Sequence, residues 1–435
     1  MPESAAVDSG AAWRVFLHPR VLGMLFLGFS AGLPFPLVFA TLSAWLATAG
    51  VSKASIGMFA WIGITYSLKF LWAPLVDRVG LPLLDRLLGR RRSWMLVAQA
   101  GLVAALLAMS GGDPAGNLAI VAWLALAIAF SSATQDIVID AYRIEAVRVE
   151  VQGAMAASYQ FGYRLAMLVS GAGALIIADL VSWPAAYRAM AALVLVGIVT
   201  VLIISEPVSR RPVDGADAPA GAKPIERLSL WFATAVFGPF ADFFRRNGAW
   251  ALVLLGFIAC YRISDLILGV MANPFYIDIG FSLSQIAAIA KVFGFGMTLL
   301  GAALGGYAVA RFGVTRPLVV GAVLVALTNL LFAWLASSGP LLSILTVTIS
   351  ADNLAAGFAG TVFIAYLSSL TSVAYTATQY ALFSALMTLL GNFIGGFSGR
   401  VVEATDWISF FLYASAMGVP AILLSLVVIR RSQRA

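Results

Sequence analysis

The sequence predicts an all-α membrane protein of twelve spanning helices in two six-helix halves, and three observations predict it. Of 435 residues, 61% are hydrophobic and 11% charged, with a mean hydropathy of +0.96; a soluble domain has roughly 45–50% apolar and about 25% charged residues. The apolar residues fall into twelve runs long enough to cross hydrocarbon, which takes about 20 residues as a helix because every backbone polar group must be satisfied inside the segment. The cations, finally, crowd onto alternate loops.

The first run, 21–47, is too long for a signal-peptide core and is followed by further spans, so it reads as a retained first helix. Runs at 56–76, 94–110, 117–139, 153–179 and 184–205 complete the first half. The longest polar interruption follows, from Ser205 to about Leu228, and its stretch PVDGADAPAGAKP reads as a flexible linker. Next comes LSLWFATAVFGPFADFFRRNGAW, apolar and aromatic, broken at Gly238 and Pro239 and closed by Arg245 and Arg246. It reads as a helix lying on the cytoplasmic membrane surface, with a half-inserted hairpin as the alternative. Runs at 249–272, 282–307, 317–337, 340–368, 376–398 and 408–430 form the second half. The expected domains are therefore a bundle over 21–205, a linker with an interfacial amphipathic helix over 206–248, and a second bundle over 249–430.

With both termini cytoplasmic, twenty of the 27 Lys and Arg residues fall on the inner side, while the outer loops hold only Lys53, Arg188 and Arg400. The net charge of +7 is then a positive-inside signal and needs no nucleic-acid partner. A multi-pass protein of the bacterial inner membrane, acting as a monomer, is the expectation. Cys260 is the single cysteine and His18 the single histidine, so neither an intramolecular disulfide nor a cysteine metal cluster is possible. No cofactor or metal is expected. An intramembrane enzyme is the distant alternative, disfavoured because His18 lies outside the spans and no H-E-x-x-H pair exists.

Both halves carry a local signature at the inner end of their second helices, Ala73-Pro-Leu-Val-Asp77-Arg78-Val-Gly80 and Gly306-Tyr-Ala-Val-Ala310-Arg311-Phe-Gly313, offset by 233 residues. It resembles the major facilitator loop pattern G-x-x-x-D-R-x-G-R-R, whose acid and arginines pair with neighbouring helix ends and hold an inner gate. Asp77, Arg78 and Gly80 match. Ala73 replaces the first Gly, the basic pair is displaced to Arg90, Arg91 and Arg92, and Ala310 replaces Asp in the second copy. Asp77, Arg78 and Arg311 are the gate residues this resemblance implies.

A charge at the centre of a spanning helix costs about 2.5–3.5 kcal/mol on insertion scales, so those that persist face a polar cavity or a partner. Lys69 lies in the second run, Arg164 in the fifth, Arg262 and Asp265 in the seventh, Lys291 in the eighth, and Asp352 with Asn353 in the tenth. Asp136 and Asp140 are one turn apart in the fourth. Arg262 and Asp265 can pair along their own helix. Lys69, Arg164 and Lys291 have no local acid; they find distant partners such as Asp352 or Asp136, or they await an anion. Tyr66, Gln135, Gln160, Tyr163, Tyr261, Gln379, Tyr380 and Asn392 add hydrogen-bonding groups. Singly each reads as interhelical packing; together they suit a solute rich in hydroxyls and amides.

The stretches GFSAGLPFPLVFATLSAWLATAGVSKASIGMF, YSLKFLWAPLVDR, SATQDIVIDAYRIEA, YRLAMLVSG and YRISDLILGVMANPFYIDIGFSLSQIA resemble the AmpG-type muropeptide permease family, from about residue 21 to 300. The resemblance implies import of N-acetylglucosaminyl-1,6-anhydromuramyl peptides from periplasm to cytoplasm, driven by the proton motive force and feeding wall recycling and β-lactamase signalling. The expected partners are then an anionic muropeptide, protons and membrane lipid. Cations inside the spans agree independently, since muropeptides carry several carboxylates. On this reading Lys69, Arg164, Arg262 and Lys291, with Tyr66, Gln135, Tyr163 and Asn353, bind substrate during rocker-switch alternating access. Asp265, Asp352 or Asp136 carries the proton, Asp265 first, because an anion engaging Arg262 would free it. A transporter of another bulky anion such as acetyl-CoA is the nearest alternative, because the same superfamily branch resembles acetyl-CoA carriers.

Overall fold

The computed structural model describes residues 13–147, 149–207, 238–370 and 376–432, apart from the side chains at 13, 14, 74, 77, 78, 149, 150, 238–240, 376–378, 380, 381 and 432. Most of the 206–248 segment, expected as a linker with an interfacial helix, therefore lies outside the described residues. Within them, twelve helices are long and apolar enough to cross a membrane. They are α1 (Pro19–Thr48), α2 (Lys53–Leu71), α3 (Arg90–Met109), α4 (Leu118–Glu145), α5 (Val151–Leu180), α6 (Trp183–Ile203), α7 (Trp250–Asp278), α8 (Leu283–Phe312), α9 (Thr315–Ser338), α10 (Leu342–Leu370), α11 (Leu382–Ala404) and α12 (Trp407–Arg431). Each falls on one of the twelve apolar runs, so the all-α expectation holds. The ends differ for a physical reason. Hydropathy marks the apolar part of a helix, whereas backbone hydrogen bonding continues past it, as where α4 runs on through Asp140 to Glu145.

Several spans are interrupted, and the interruptions matter for the site. In α1, Pro34 and Pro36 lack the N–H that would continue the ladder, and the span is divided into Pro19–Gly32, Pro34–Val38 and Ala40–Thr48. In α2, tighter 3₁₀ turns occupy Phe59–Ile62 and Lys69–Leu71. A π turn widens α5 at Val169–Gly173 and α8 at Ala287–Phe293, a distortion that recurs at functional sites. Helix α7 stops at Cys260 and restarts at Ile263, with Tyr261 and Arg262 in the break.

The described residues form two compact units, one drawn from 1–50 and 68–210, the other from 51–67 and 211–435. The first part of α2, Lys53–Ser67, thus packs with the second unit. Its seam against α11 is made of glycines: a Cβ on Gly399 would stand 1.7 Å from the Lys53 carbonyl oxygen, and one on Gly57 would stand 2.9 Å from the Gly399 nitrogen. Small residues allow this approach because helices in lipid associate through close packing, with no hydrophobic driving force between them. Lys53 also pairs with Asp278 at 2.8 Å, and the Ala54 amide donates to Glu403 at 2.9 Å.

The short Gly238–Asn247 helix belongs to the second unit. Phe243 is fully buried and meets Phe383 of α11 edge-on at 4.9 Å. Asp242 takes hydrogen bonds from Arg246 and from buried Gln379, and Arg246 donates to the Gln379 amide oxygen at 3.0 Å.

Candidate functional site

In the first unit, Asp136 of α4 is the centre of the polar set. Its side chain is 13% exposed, and the Lys69 ammonium stands 3.9 Å from one carboxylate oxygen. The 3₁₀ turn that opens at Lys69 sets this approach, and Trp72 holds it by donating from its indole to Thr134 of α4 at 3.1 Å. Tyr159 and Tyr163, with rings 5.9 Å apart on α5, lie within reach of the Asp136 charge. Asp140 pairs with Arg143 at 3.7 Å along its own helix. Gln135 is fully buried and accepts from Ser30 at 3.0 Å. Ser30 sits in GFSAG, a string with the spacing of a nucleophile elbow, but it lies in the last turn of the Pro19–Gly32 helix and no strand leads into it. Arg164 is exposed and makes no ion pair among the described residues. Tyr66, in the first part of α2, lies in the second unit.

In the second unit, Arg262 and Asp265 do pair across one turn, with side chains 34% and 19% exposed. The break in α7 puts Arg262 at the N-cap of the restarted helix. Its neighbour Tyr261 is clamped there, donating to the Leu318 carbonyl at 3.0 Å and stacking on Phe363 at 4.2 Å. Tyr261, Arg262, Asp265 and Gly321 help line a cavity of only about 10 Å³, room for a single water. Asp352 accepts from Thr328 at 3.3 Å and feels the charge of Asp265. Lys291 finds an amide: its ammonium donates to Asn273 of α7 at 3.0 Å, and it makes no ion pair among the described residues. The π turn in α8 carries Lys291. Asn353 is tied into the α8/α10 seam, accepting from Thr298 at 3.0 Å and donating to the Ile349 carbonyl.

For the expected gate, the Asp77 and Arg78 side chains lie outside the described residues, and their backbone closes the Ala73–Arg78 helix. Arg311 is exposed, 5.8 Å from the Phe312 ring. The displaced basic run is where the ion pairs are. Arg91, 5% exposed, binds Glu145 at the end of α4 through Nε at 3.0 Å and a terminal nitrogen at 2.5 Å. The Arg91 and Arg92 amides donate to Glu206 at 2.8 and 3.1 Å, while the Arg92 side chain donates to the Val201 and Leu202 carbonyls that end α6. Burial raises the Glu206 carboxyl above its ordinary range, and the two backbone N–H bonds pull it back only in part.

Sequence reasoning did not single out Asn273, Glu145, Glu206 or Gln99. The first had a signal, a lone amide in the apolar run GVMANPF; Glu145 and Glu206 looked like ordinary polar residues at helix ends.

The sequence profile of the Major Facilitator Superfamily matches residues 79–396, and that of Acetyl-coenzyme A transporter 1 matches residues 21–112. The anhydromuropeptide permease of Escherichia coli (strain K12) is 36% identical over 416 residues, covering 95% of this chain and 80% of that protein. A transporter designated AmpG 4 of Rickettsia conorii is 33% identical over 414 residues, covering 94% and 97%. Among solved structures, a mutant of the nucleoside transporter NupG superposes with a TM-score of 0.69 at 15% identity, covering 94% of this chain and 99% of that one. A D-xylose-proton symporter superposes with 0.64 at 14% identity, covering 95% and 97%. At such identities these structures speak for the fold alone.

Proposed function

We propose, from the premise that this chain belongs to the major facilitator superfamily and within it to the AmpG-type permease family, that it carries anhydromuropeptides from periplasm to cytoplasm in symport with protons. The observation that supports an anionic cargo is the state of the cations inside the spans. Among the described residues Lys291 is held by an amide oxygen and has no ion pair, Arg164 has no ion pair either, and Lys69 stands off from Asp136 at 3.9 Å. Keeping such charges in a membrane is costly unless something else neutralises them, and a muropeptide brings carboxylates.

In this reading the two six-helix halves, 21–205 and 249–430, expose the binding residues to one side of the membrane and then the other, joined through the 206–248 segment. Lys69, Arg164, Arg262 and Lys291 attract the substrate carboxylates, with Tyr66, Gln135, Tyr163 and Asn353 contributing hydrogen bonds. Asp265, Asp352 and Asp136 are the carriers open to a proton. Asp265 is first in line: an arriving carboxylate that takes over Arg262 frees Asp265 from its ion pair. Asp77, Arg78 and Arg311 serve the inner gate.

The test is uptake of radiolabelled disaccharide anhydromuropeptide by proteoliposomes under an inward proton gradient, with and without protonophore. Gradient-dependent accumulation is the expected result; none, from folded protein, would sink the proposal. Asp265→Asn is expected to lose gradient-driven accumulation, and full uptake by that variant that still collapses with protonophore would remove Asp265 from the carriers. The match of residues 21–112 to an acetyl-coenzyme A transporter profile favours one second reading, a carrier of another bulky anion. Competition of uptake by acetyl-CoA against muropeptide separates the two.

A further inference from the structure

The first unit encloses a set of buried polar side chains of which the cargo-binding reading uses only Gln135. Ser30 of α1, Gln99 of α3, and Ser132 and Gln135 of α4 are each at most 1% exposed. Ser30, Gln99 and Gln135 are contiguous. Ser30 donates to Gln135 at 3.0 Å, and a Cβ on Gly197 of α6 would stand 2.3 Å from Ser30 Oγ and 2.7 Å from Gln99 Nε2. Ser30 and Gln99 therefore meet over a position of α6 that has no side chain to fill it. Ser132, Gln135 and Asp136 follow at i, i+3 and i+4 on α4 and share one face. Counting along the helices at about 1.5 Å per residue, Ser30, Gln99 and Asp136 lie about 14–17 Å from the ends of α1, α3 and α4 on the same side, which puts them at one level.

Five atoms of this set have no hydrogen-bond partner among the described residues: Gln99 Nε2, Gln99 Oε1, Ser132 Oγ, Gln135 Nε2 and Asp136 Oδ1. Buried polar atoms are paired as a rule, and nowhere more strictly than inside a membrane. The chemistry of these five says what pairs them. Two are amide N–H donors, two are carbonyl or carboxylate acceptors, and the hydroxyl is either. A sodium ion would suit the oxygens and leave both amide donors unmet, and an apolar solute would suit none. Water donates and accepts, and a small polar space with several partners is where proteins hold it.

We propose that Gln99, Ser132, Gln135 and Asp136, on the side of α4 that meets α1 and α3, form a built site for a small group of internal waters through which Asp136 exchanges its proton. This rests on the reading of the cycle as proton-driven. The step balances simply: a hydronium in the chain gives one proton to the Asp136 carboxylate and becomes water, and on release the carboxylic acid returns it to water. The groups whose charge faces Asp136 are Lys69 from α2, Asp140 from α4, and Tyr159 and Tyr163 from α5. The orphaned Gln99 amide comes instead from α3, where it meets α1 and α6. The amides thus hold the water, Lys69 supplies the competing charge, and the carboxylate between them is the group that changes.

Infrared difference spectroscopy of the purified protein on a pH change tests this without any substrate. A carboxylic-acid carbonyl band that vanishes in Asp136→Asn identifies the residue. In Gln99→Leu that band moves to higher frequency, because its acid has lost a hydrogen-bonded water. In the wild type, exchanging the solvent oxygen to the heavier isotope shifts a water band that appears with it, a readout that needs no variant to fold. Absence of the Asp136 band, or of an isotope-sensitive water band, overturns the proposal. In proteoliposomes, Gln99→Leu is expected to lose about tenfold of gradient-driven accumulation while substrate counterflow stays within about twofold of wild type. A parallel loss of both would make Gln99 a packing residue. Wild-type uptake that needs sodium in place of a proton gradient would make the site a cation site. Failure of the wild type to accumulate muropeptide would refute the cargo assignment and leave the infrared result to decide this one.

Discussion

The seam between α1 and α5 carries Tyr159 and Tyr163 to Asp136, and Gly162→Ala tests it quantitatively. A Cβ on Gly162 would stand 1.9 Å from the Leu25 carbonyl oxygen and 2.9 Å from the Phe29 nitrogen. Ordinary contact begins at 3.4 Å, so the two helices must part locally by about 1.5 Å, the difference between those figures. The obstacle is backbone, which has no rotamer to yield. The opposite face is equally tight, since Cβ atoms on Gly28 and Gly32 would stand 2.2 and 2.3 Å from the Tyr159 and Tyr163 carbonyl oxygens. Overpacking costs about 1–3 kcal/mol, and a clash of backbone with backbone belongs at the upper end, about 3 kcal/mol. The comparison is Gly153→Ala on the same helix, where a Cβ meets nothing within 4 Å. Thermal unfolding in detergent is expected to show a clear loss for Gly162→Ala and none for Gly153→Ala, and uptake per folded molecule should fall only in the former, as the two tyrosines shift. Equal stability of the two variants would refute the reasoning that this approach is what holds α5 in place.

Three further outcomes follow from the same geometry. Arg91→Ala leaves Glu145 without its buried partner and should cost about 3–5 kcal/mol in unfolding experiments, with Arg91→Lys recovering only part because an ammonium cannot reproduce the two-point contact. Glu206 has its carboxyl raised by burial above 4.5, so the folded state binds that proton more tightly than the unfolded state. Stability from this group is therefore present below pH 4.5 and is lost as pH rises towards the folded value; Glu206→Gln should flatten the fall of the unfolding midpoint as pH rises above 4.5. Lys291→Gln keeps a donor for Asn273 while removing the charge, and should raise the KM for an anionic substrate by about tenfold, or 1.4 kcal/mol, with unfolding unchanged; an unaltered KM would take Lys291 out of the binding set.

Legibility divides by distance along the chain. The pairing of Arg262 with Asp265 was readable because three residues along a helix put two side chains on one face whatever the rest of the fold does. Lys69 and Asp136 are both conspicuous in sequence, yet that they meet depends on the crossing of α2 and α4, which Trp72 and Thr134 help to set. Lys291 was expected to find a carboxylate or wait for one; the structure gives it the Asn273 amide. Gln99 looked like any polar residue near a helix start until its amide was seen fully buried beside Ser30.

By itself, then, the sequence determined the solvent, the number and order of the spans, and the family, because hydropathy and local motifs are properties of consecutive residues. Only the tertiary structure decided where those helices break, that Lys53–Ser67 packs with the second unit, and which in-span charges meet across different helices. These depend on how closely two backbones approach, and that is set by the absence of a side chain at positions such as Gly162, Gly197 and Gly399 facing another helix far away in the chain.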